Sequence, residues 1–248
     1  MSSPTQLLYY ESAYLKEFQG TILEIQKADD RYGVVLDRTA FYPTGGGQPG
    51  DTGTLKEKDA EVEVVDVQWK KGSVCHILEN LDEEIRAGKH IRGIINWGRR
   101  YALMQNHTAA HIMGEAVRRA TEAPLEIVGS AIAVDKARLD FAYGESLRPL
   151  FPEIEEAAND VVGEDRNVVV RMMDRQEAEK YVERFHESLS TLPPQVHEVR
   201  IVEIKDWHAC ACGGTHVRRT GELEGIKLLK RVSKGKGVER LEFSSGIQ

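Results

Sequence analysis

Two short motifs about a hundred residues apart restrict this chain more than anything else in it. The first is His107-Thr-Ala-Ala-His111, inside the run "RRYALMQNHTAAHIMGEAVRRA". Leu103, His107, Ala110, His111 and Gly114 recur at helical spacing, which predicts a helix over residues 99–120 with both imidazoles on one face, a turn apart. A single inward histidine on such a face would be an ordinary hydrogen-bonded core residue. A pair flanked by Thr108, Ala109, Ala110 and Gly114 leaves room for an ion. The second motif is Cys212-Gly-Gly-Thr-His216, whose glycines allow a tight turn with thiol and imidazole on the same side. One thiolate and three imidazoles suit tetrahedral zinc, so the fold is expected to bring the helix and the late segment together around Zn2+.

Charge sets limits on partners. The 248-residue chain carries a formal net charge of -7, whereas proteins that live on bulk phosphate attraction are usually basic. The charge is uneven. Residues 151–166, "FPEIEEAANDVVGEDR", hold six acids and one base, and residues 225–238, "GIKLLKRVSKGKGV", hold five bases and no acid. A nucleic acid is thus allowed at one face and disfavoured at another, unless the basic run is only a solvated hairpin. Three cysteines cannot all pair, and Cys210 and Cys212 are too close for an ordinary disulfide. With no secretory signal pattern and no apolar run near the length of a bilayer span, the expectation is a cytoplasmic protein with no membrane association.

The pattern changes character near Trp97. Before it, "GTILEIQ", "YGVVLD", "EVEVVDVQW", "SVCHILE" and "HIRGIINW" are short Val- and Ile-rich runs separated by turns, which predicts β-structure. A Gly- and Pro-dense loop, "TAFYPTGGGQPGDTGTL", interrupts them. After it come the His-bearing helix, paired strands in "EIVGSAIAVDKARLDFAY", a helix with Ile154, Ala158, Val161 and Val162 as its stripe, and a third helix in "DRQEAEKYVERF". The tail returns to strands in "HEVRIVEI" and in a hairpin, "GIKLLKRV-SKGKG-VERLEF". The expected domains are residues 1–96, a β domain, and 97–248, an α+β domain.

Several chemistries are absent. "HTAAH" lacks the glutamate that serves zinc proteases as general base. There is no G-x-S-x-G elbow, and "TGGGQPG" is not followed by the Lys-Ser or Lys-Thr of a P-loop, so ATP binding is not expected.

The four segments "FYPTGGGQPGDTG", "HTAAH", "GSAIAVDKARLDF" and "CGGTH", in that order, resemble the editing half of alanyl-tRNA synthetase, and more closely the free-standing alanyl-tRNA editing proteins called AlaX in their medium-length form. The likeness runs from about Tyr9 to Phe243. It implies a small β-barrel followed by a zinc-binding α+β editing domain of the kind shared by threonyl- and alanyl-tRNA synthetases. It implies zinc ligation by His107, His111, Cys212 and His216, while Cys75 and Cys210 match no ligand position. It also implies hydrolysis of tRNA(Ala) mischarged with serine or glycine, performed in trans because the chain is too short to hold an aminoacylation domain as well. A pocket for alanine rejects serine poorly, so a second site must read the added hydroxyl. Thr108, Ser130 and Thr215 are the hydroxyl candidates near the metal, and Gln48 in the glycine loop is another. For the tRNA the candidates are Arg99, Arg100, Lys234, Lys236 and Arg240. Glu239 stands where the synthetases often carry an arginine, so recognition here would differ or lean on Arg240, Lys234 and Lys236. The rival reading is a non-catalytic RNA-binding module with a structural zinc; a metal-dependent hydrolase of small esters is a second.

Overall fold

A computed structural model describes residues 5–28, 30–123 and 125–246. The chain divides into two compact units, Met1–Ala102 and Leu103–Gln248. The division falls six residues later than the change in sequence pattern, because the helix that opens at Trp97 runs through it.

In the first unit β1 (Gln6–Leu7), α1 (Leu8–Glu11) and β4 (Arg38–Thr39) are short pieces beside the main strands. The main strands are β2 (Glu17–Ala28), β3 (Arg31–Leu36), β5 (Gly53–Glu57), β6 (Ala60–Lys70), β7 (Ser73–Leu78) and β8 (His90–Ile95). They close a barrel in the order β2-β3-β7-β6-β5-β8. Alternation explains what fills it. Val62 and Val64 of β6 point inward between exposed Glu61 and Glu63. A register shift between Val64 and Asp66 then flips the parity, so that Val67 is the next buried residue. These valines meet Phe18, Ile22, Val34, Leu36, Phe41 and Leu55 in one core.

The expected β-barrel is present, with one strand that the pattern did not show. β5 is five residues long and begins on a glycine. A Cβ on Gly53 would stand 2.1 Å from the carbonyl oxygen of Ile94, so only glycine lets β5 approach β8. Upstream, Gly45 and Gln48 exchange backbone hydrogen bonds of 3.0 and 2.9 Å around Gly46 (φ 56°) and Gly47 (φ 80°). Positive φ at both central residues is the tight hairpin turn that glycine permits. Asp51 then anchors the loop. Its carboxylate accepts from the Tyr42 backbone N–H (2.6 Å) and from Arg100 Nε (3.0 Å), and forms a buried ion pair with Arg100 Nη2. Arg100 also donates to the carbonyls of Ala13 (2.8 Å) and Ala40 (2.6 Å). Arg100 is fully buried and serves as the clasp of the glycine loop.

The long helix α2 (Trp97–Thr121) covers the predicted 99–120. The second unit continues with β9 (Ile127–Ile132), β10 (Ala137–Ala142), α3 (Phe151–Gly163), β11 (Val168–Asp174), α4 (Arg175–Glu183), β12 (Glu198–Ile204), β13 (His208–Ala211), β14 (Ile226–Gly235) and β15 (Val238–Ser245). Two antiparallel sheets result, β14-β15-β10-β9 and β11-β12-β13. The predicted stripe of α3, Ile154, Ala158, Val161 and Val162, is buried, and Asn159 docks the helix by exchanging two 2.8 Å hydrogen bonds with the Ile226 backbone. The Asp174 side chain caps α4 by accepting from Gln176 N–H. Ala178 and Val182 of α4 pack on Val199, Ile201 and Ala209 of the smaller sheet. Among the described residues no helix is long and apolar enough to cross a membrane.

Removing one partner of the Asp51–Arg100 pair leaves a buried charge without its counter-ion, so D51N is expected to lower stability by about 3–5 kcal/mol in urea unfolding, and the double variant D51N/R100M by less than the sum of the two single changes. A second test uses pH. His76 is fully buried, donates from Nδ1 to the Val34 carbonyl (2.9 Å) and faces Thr39 Oγ1 at Nε2 (2.8 Å). Burial lowers its pKa to about 4 against that hydrogen bond. Between the ordinary histidine pKa near 6.5 and about 4 the unfolded chain binds a proton that the folded one refuses, so stability falls with falling pH. The wild type should lose about 3 kcal/mol more than H76Q between pH 7 and pH 4.

Candidate metal centre

Helix α2 is held at three points inside the second unit, and these aim its histidines. Asn106 Nδ2 donates to the carbonyls of Ala133 (2.9 Å) and Val134 (3.1 Å), and its Oδ1 accepts from the Ser245 backbone N–H (3.0 Å). Gln105 Nε2 donates to the Glu222 carbonyl (2.6 Å), and the Ile112 carbonyl accepts from Trp207 Nε1 (3.3 Å). The intervening face carries His107 and His111 toward β13 and the loop that follows it.

That loop starts where β13 ends. Cys212 N–H donates to the Arg200 carbonyl (3.1 Å), and Arg200 Nη1 donates back to the Cys212 carbonyl (2.6 Å). The chain then turns so that Gly214 N–H points at Cys212 Sγ (3.4 Å). Cys212 Sγ lies 3.3 Å from His216 Nε2 and 3.6 Å from His107 Nε2. The ligand atoms of His107, His111, Cys212 and His216 all fall within 4.8 Å of one another. From Zn–N of about 2.0–2.1 Å and Zn–S of about 2.3 Å, a tetrahedral shell has edges of roughly 3.3–3.7 Å, which these separations fit. His107 and His216 are buried, whereas His111 and Cys212 are half-buried, so the cluster has an accessible side.

The Thr108 hydroxyl donates to the Met104 carbonyl (3.0 Å) and lies 3.1 Å from His216 Nδ1 and 3.3 Å from the Val217 N–H. With its proton given to Met104, Thr108 Oγ1 accepts from Nδ1–H of His216, which fixes the tautomer that leaves Nε2 free to face Cys212. The hydroxyl is therefore engaged in orienting His216.

Electrostatics keep the imidazoles neutral. Burial, then the neighbouring His111 and Arg200, hold His107 well below its ordinary range. Burial likewise depresses His216, followed by His107, His111, Arg200 and His208. Burial, His208 and Arg200 lower His111 to about 3. Neutral rings keep the lone pairs that a cation needs. Burial pushes the Cys212 thiol up, against the opposing pull of the Gly214 N–H and Arg200.

The other sequence candidates belong to several different elements. Ser130 stands exposed on β9, paired in register with Leu139. Gln48 is fully buried in the glycine loop of the first unit. Arg99 is half-buried at the start of α2, with Nη1 shielded and without a hydrogen-bond partner among the described residues. Arg240 donates to both oxygens of Asp140 (2.6 and 2.7 Å), so its guanidinium is already engaged. Glu239 is not a gap in a basic surface: it is buried and accepts two hydrogen bonds from Arg231 (2.5 and 2.7 Å). Lys234 and Lys236 are exposed at the hairpin tip. Sequence reasoning missed three neighbours of the cluster. Arg200 alternates with Val199 and Ile201 in β12 and so reads as an outward cation, yet it is buried, and nothing in the pattern marks that. His208 and Cys210, by contrast, follow the every-other-residue rule of a strand face that ends at Cys212, and that spacing could have found them.

A family model described as "tRNA synthetases class II (A)" matches residues 3–99, and one described as "Threonyl and Alanyl tRNA synthetase second additional domain" matches residues 199–242. The alanyl-tRNA editing protein AlaX-M of Methanosarcina acetivorans is 41% identical over 246 residues, covering 97% of this chain and 98% of its own length. The protein of the same name from Methanosarcina barkeri is 39% identical over 244 residues, covering 97% and 98%. The alanine–tRNA ligase of Halobacterium salinarum is 39% identical over 248 residues, which is 98% of this chain and 26% of the ligase. Identity at this level along nearly the whole of both partners, over a barrel and a His/Cys cluster that the four motifs had pointed to, makes this chain a member of the AlaX-M family of alanyl-tRNA editing proteins.

Proposed function

We propose that the chain is an aminoacyl-tRNA deacylase that hydrolyses, in trans, the ester of tRNA(Ala) mischarged with serine, and of the glycine-charged form, with zinc held by His107, His111, Cys212 and His216. The convergence of those four ligand atoms within 4.8 Å carries the reading. The relatives of matching length, named alanyl-tRNA editing proteins, support the substrate class. When bound, zinc supplies a positive charge that polarises a carbonyl or orients the aminoacyl end.

The chain's own residues do the rest. Thr108 and the Cys212–Arg200 backbone clasp keep the ligands in place before any substrate arrives. Four protein ligands fill a tetrahedron, the pattern of a closed site. The aminoacyl ester is already reactive, so the work required is orientation and a modest stabilisation of developing charge. The half-buried side of the cluster, at His111 and Cys212, is where the aminoacyl end reaches it. Rejecting alanine requires a polar group that pairs with the serine hydroxyl and stays unsatisfied without it. Of the sequence candidates, Ser130 on β9 is the one proposed as that reader. The tRNA backbone is proposed to lie on Lys234 and Lys236, with Arg99 as an added contact, while Arg240 contributes only by leaving Asp140.

C212A removes the one thiolate of the set. It is expected to lower zinc affinity and to cut deacylation of Ser-tRNA(Ala) by about 100-fold or more, with chelated wild type losing activity likewise and regaining it on zinc addition. A panel of charged tRNAs measures this. Full activity in metal-free C212A would remove zinc from the reaction, and zinc binding without deacylation of any charged tRNA would favour the RNA-binding module instead. For the tRNA face, K234E/K236E should weaken binding and reduce the slope of log K against log salt by about two, one for each phosphate that a lysine no longer neutralises, with zinc content unchanged. Equal affinity and slope would leave these lysines as solvating residues.

A further inference from the structure

A second set of nitrogen and sulfur donors lies beside the first. His208 and Cys210 are two apart on β13 and so share a face, while Ala209 between them packs into the core with Ile201 and Val199. That face looks at His111. Cys210 Sγ lies 3.7 Å from His111 Nδ1, and the rings of His111 and His208 stand 5.5 Å apart and nearly perpendicular. The ligand atoms of His111, His208 and Cys210 lie within 4.8 Å of one another. An independent observation points to a ligand here. His208 is 7% exposed, and its Nδ1 is buried with no hydrogen-bond partner among the described residues. A buried imidazole nitrogen left so is costly unless something occupies the space before it.

We propose that His111, His208 and Cys210 form a second, alternative position for a zinc-class divalent cation, with three protein ligands and an open coordination place. The donor chemistry, one thiolate and two imidazoles, selects a borderline-soft ion over magnesium or calcium. His111 belongs to both sets, and one neutral ring serves one ion at a time. The two positions are therefore alternatives for a single ion, and the second is the stage through which the ion enters and leaves the four-ligand site. This stands apart from deacylation, because it concerns where the ion is bound whatever reaction the protein performs.

Cobalt(II) tests it, since its thiolate charge-transfer absorption reports sulfur ligation directly. Full-length apo C212A should bind one equivalent of Co2+ with thiolate absorption. C210A/C212A should lose that absorption, and H208A/C212A should bind Co2+ about tenfold or more weakly than C212A. No thiolate absorption in C212A, or absorption that persists in C210A/C212A, overturns the proposal. A second measurement keeps Cys212 and so does not depend on the folding of those variants. C210A and H208A should each slow transfer of zinc from the loaded protein to a chromophoric chelator by about tenfold, with one zinc bound at the start. Transfer at the wild-type rate in both overturns the proposal.

Discussion

The second unit brings a helix face and a strand end, about a hundred residues apart in sequence, close enough together that their His and Cys side chains could hold a single ion. Metal–ligand distances tolerate errors of a few tenths of an ångström. The surrounding structure therefore has to over-determine α2 before any metal arrives. Asn106 does this best. One side chain ties α2 to the β9–β10 turn and to the end of β15, so both hairpins of the larger sheet register the helix. The smaller sheet registers the other side, through Trp207 on the Ile112 carbonyl and through the two-way bond between Arg200 and Cys212.

Such a cluster is unstable as bare protein in one sense and prepared in another. Three imidazoles, one thiol and the Arg200 guanidinium lie together, and Arg200 contributes to lowering His107, His111 and His216. Positive charge beside a cation site looks contrary. Its hydrogen bond to the Cys212 carbonyl gives it another purpose, since it holds the loop that presents the sulfur. Arg200 also favours the thiolate that a metal needs, against the burial that favours the thiol. Burial first, with Arg200 adding to it, keeps the rings neutral, and Arg200 helps the sulfur ionise; both are the ligand states that zinc would need.

The sequence revealed the parts of this arrangement that are periodic. The face of α2, the stripe of α3 and the alternation of β6 follow from where Val, Ala and His recur, and each element formed there. β5 was hidden because five residues with a leading glycine carry too little alternation, and what makes it a strand is a close approach that only the partner strand reveals. The role of Thr108 was hidden for a related reason. Its nearness to a ligand is local and legible, but the commitment of its hydroxyl to Met104 and His216 depends on a residue 108 positions away.

Charge was the least legible property, and the reason is pairing. Arg100, Arg231 and Arg240 read as basic residues in the sequence, yet each faces a carboxylate: Asp51, Glu239 and Asp140. Arg231 and Glu239 are eight apart in sequence, yet they meet side by side because β14 and β15 fold back on each other. A cation so engaged offers little field to a phosphate, since its charge is cancelled at contact distance and its donors are spent. The lysines differ because Lys234 falls at the register shift before the β14–β15 turn and Lys236 in the turn itself. Lys234 and Lys236 project from "SKGKG" with no carboxylate in ion-pair range among the described residues. In a chain of net charge -7, the surface open to a polyanion is set by which cations the fold leaves unpaired, and it is their place at the turn between β14 and β15 that leaves these two.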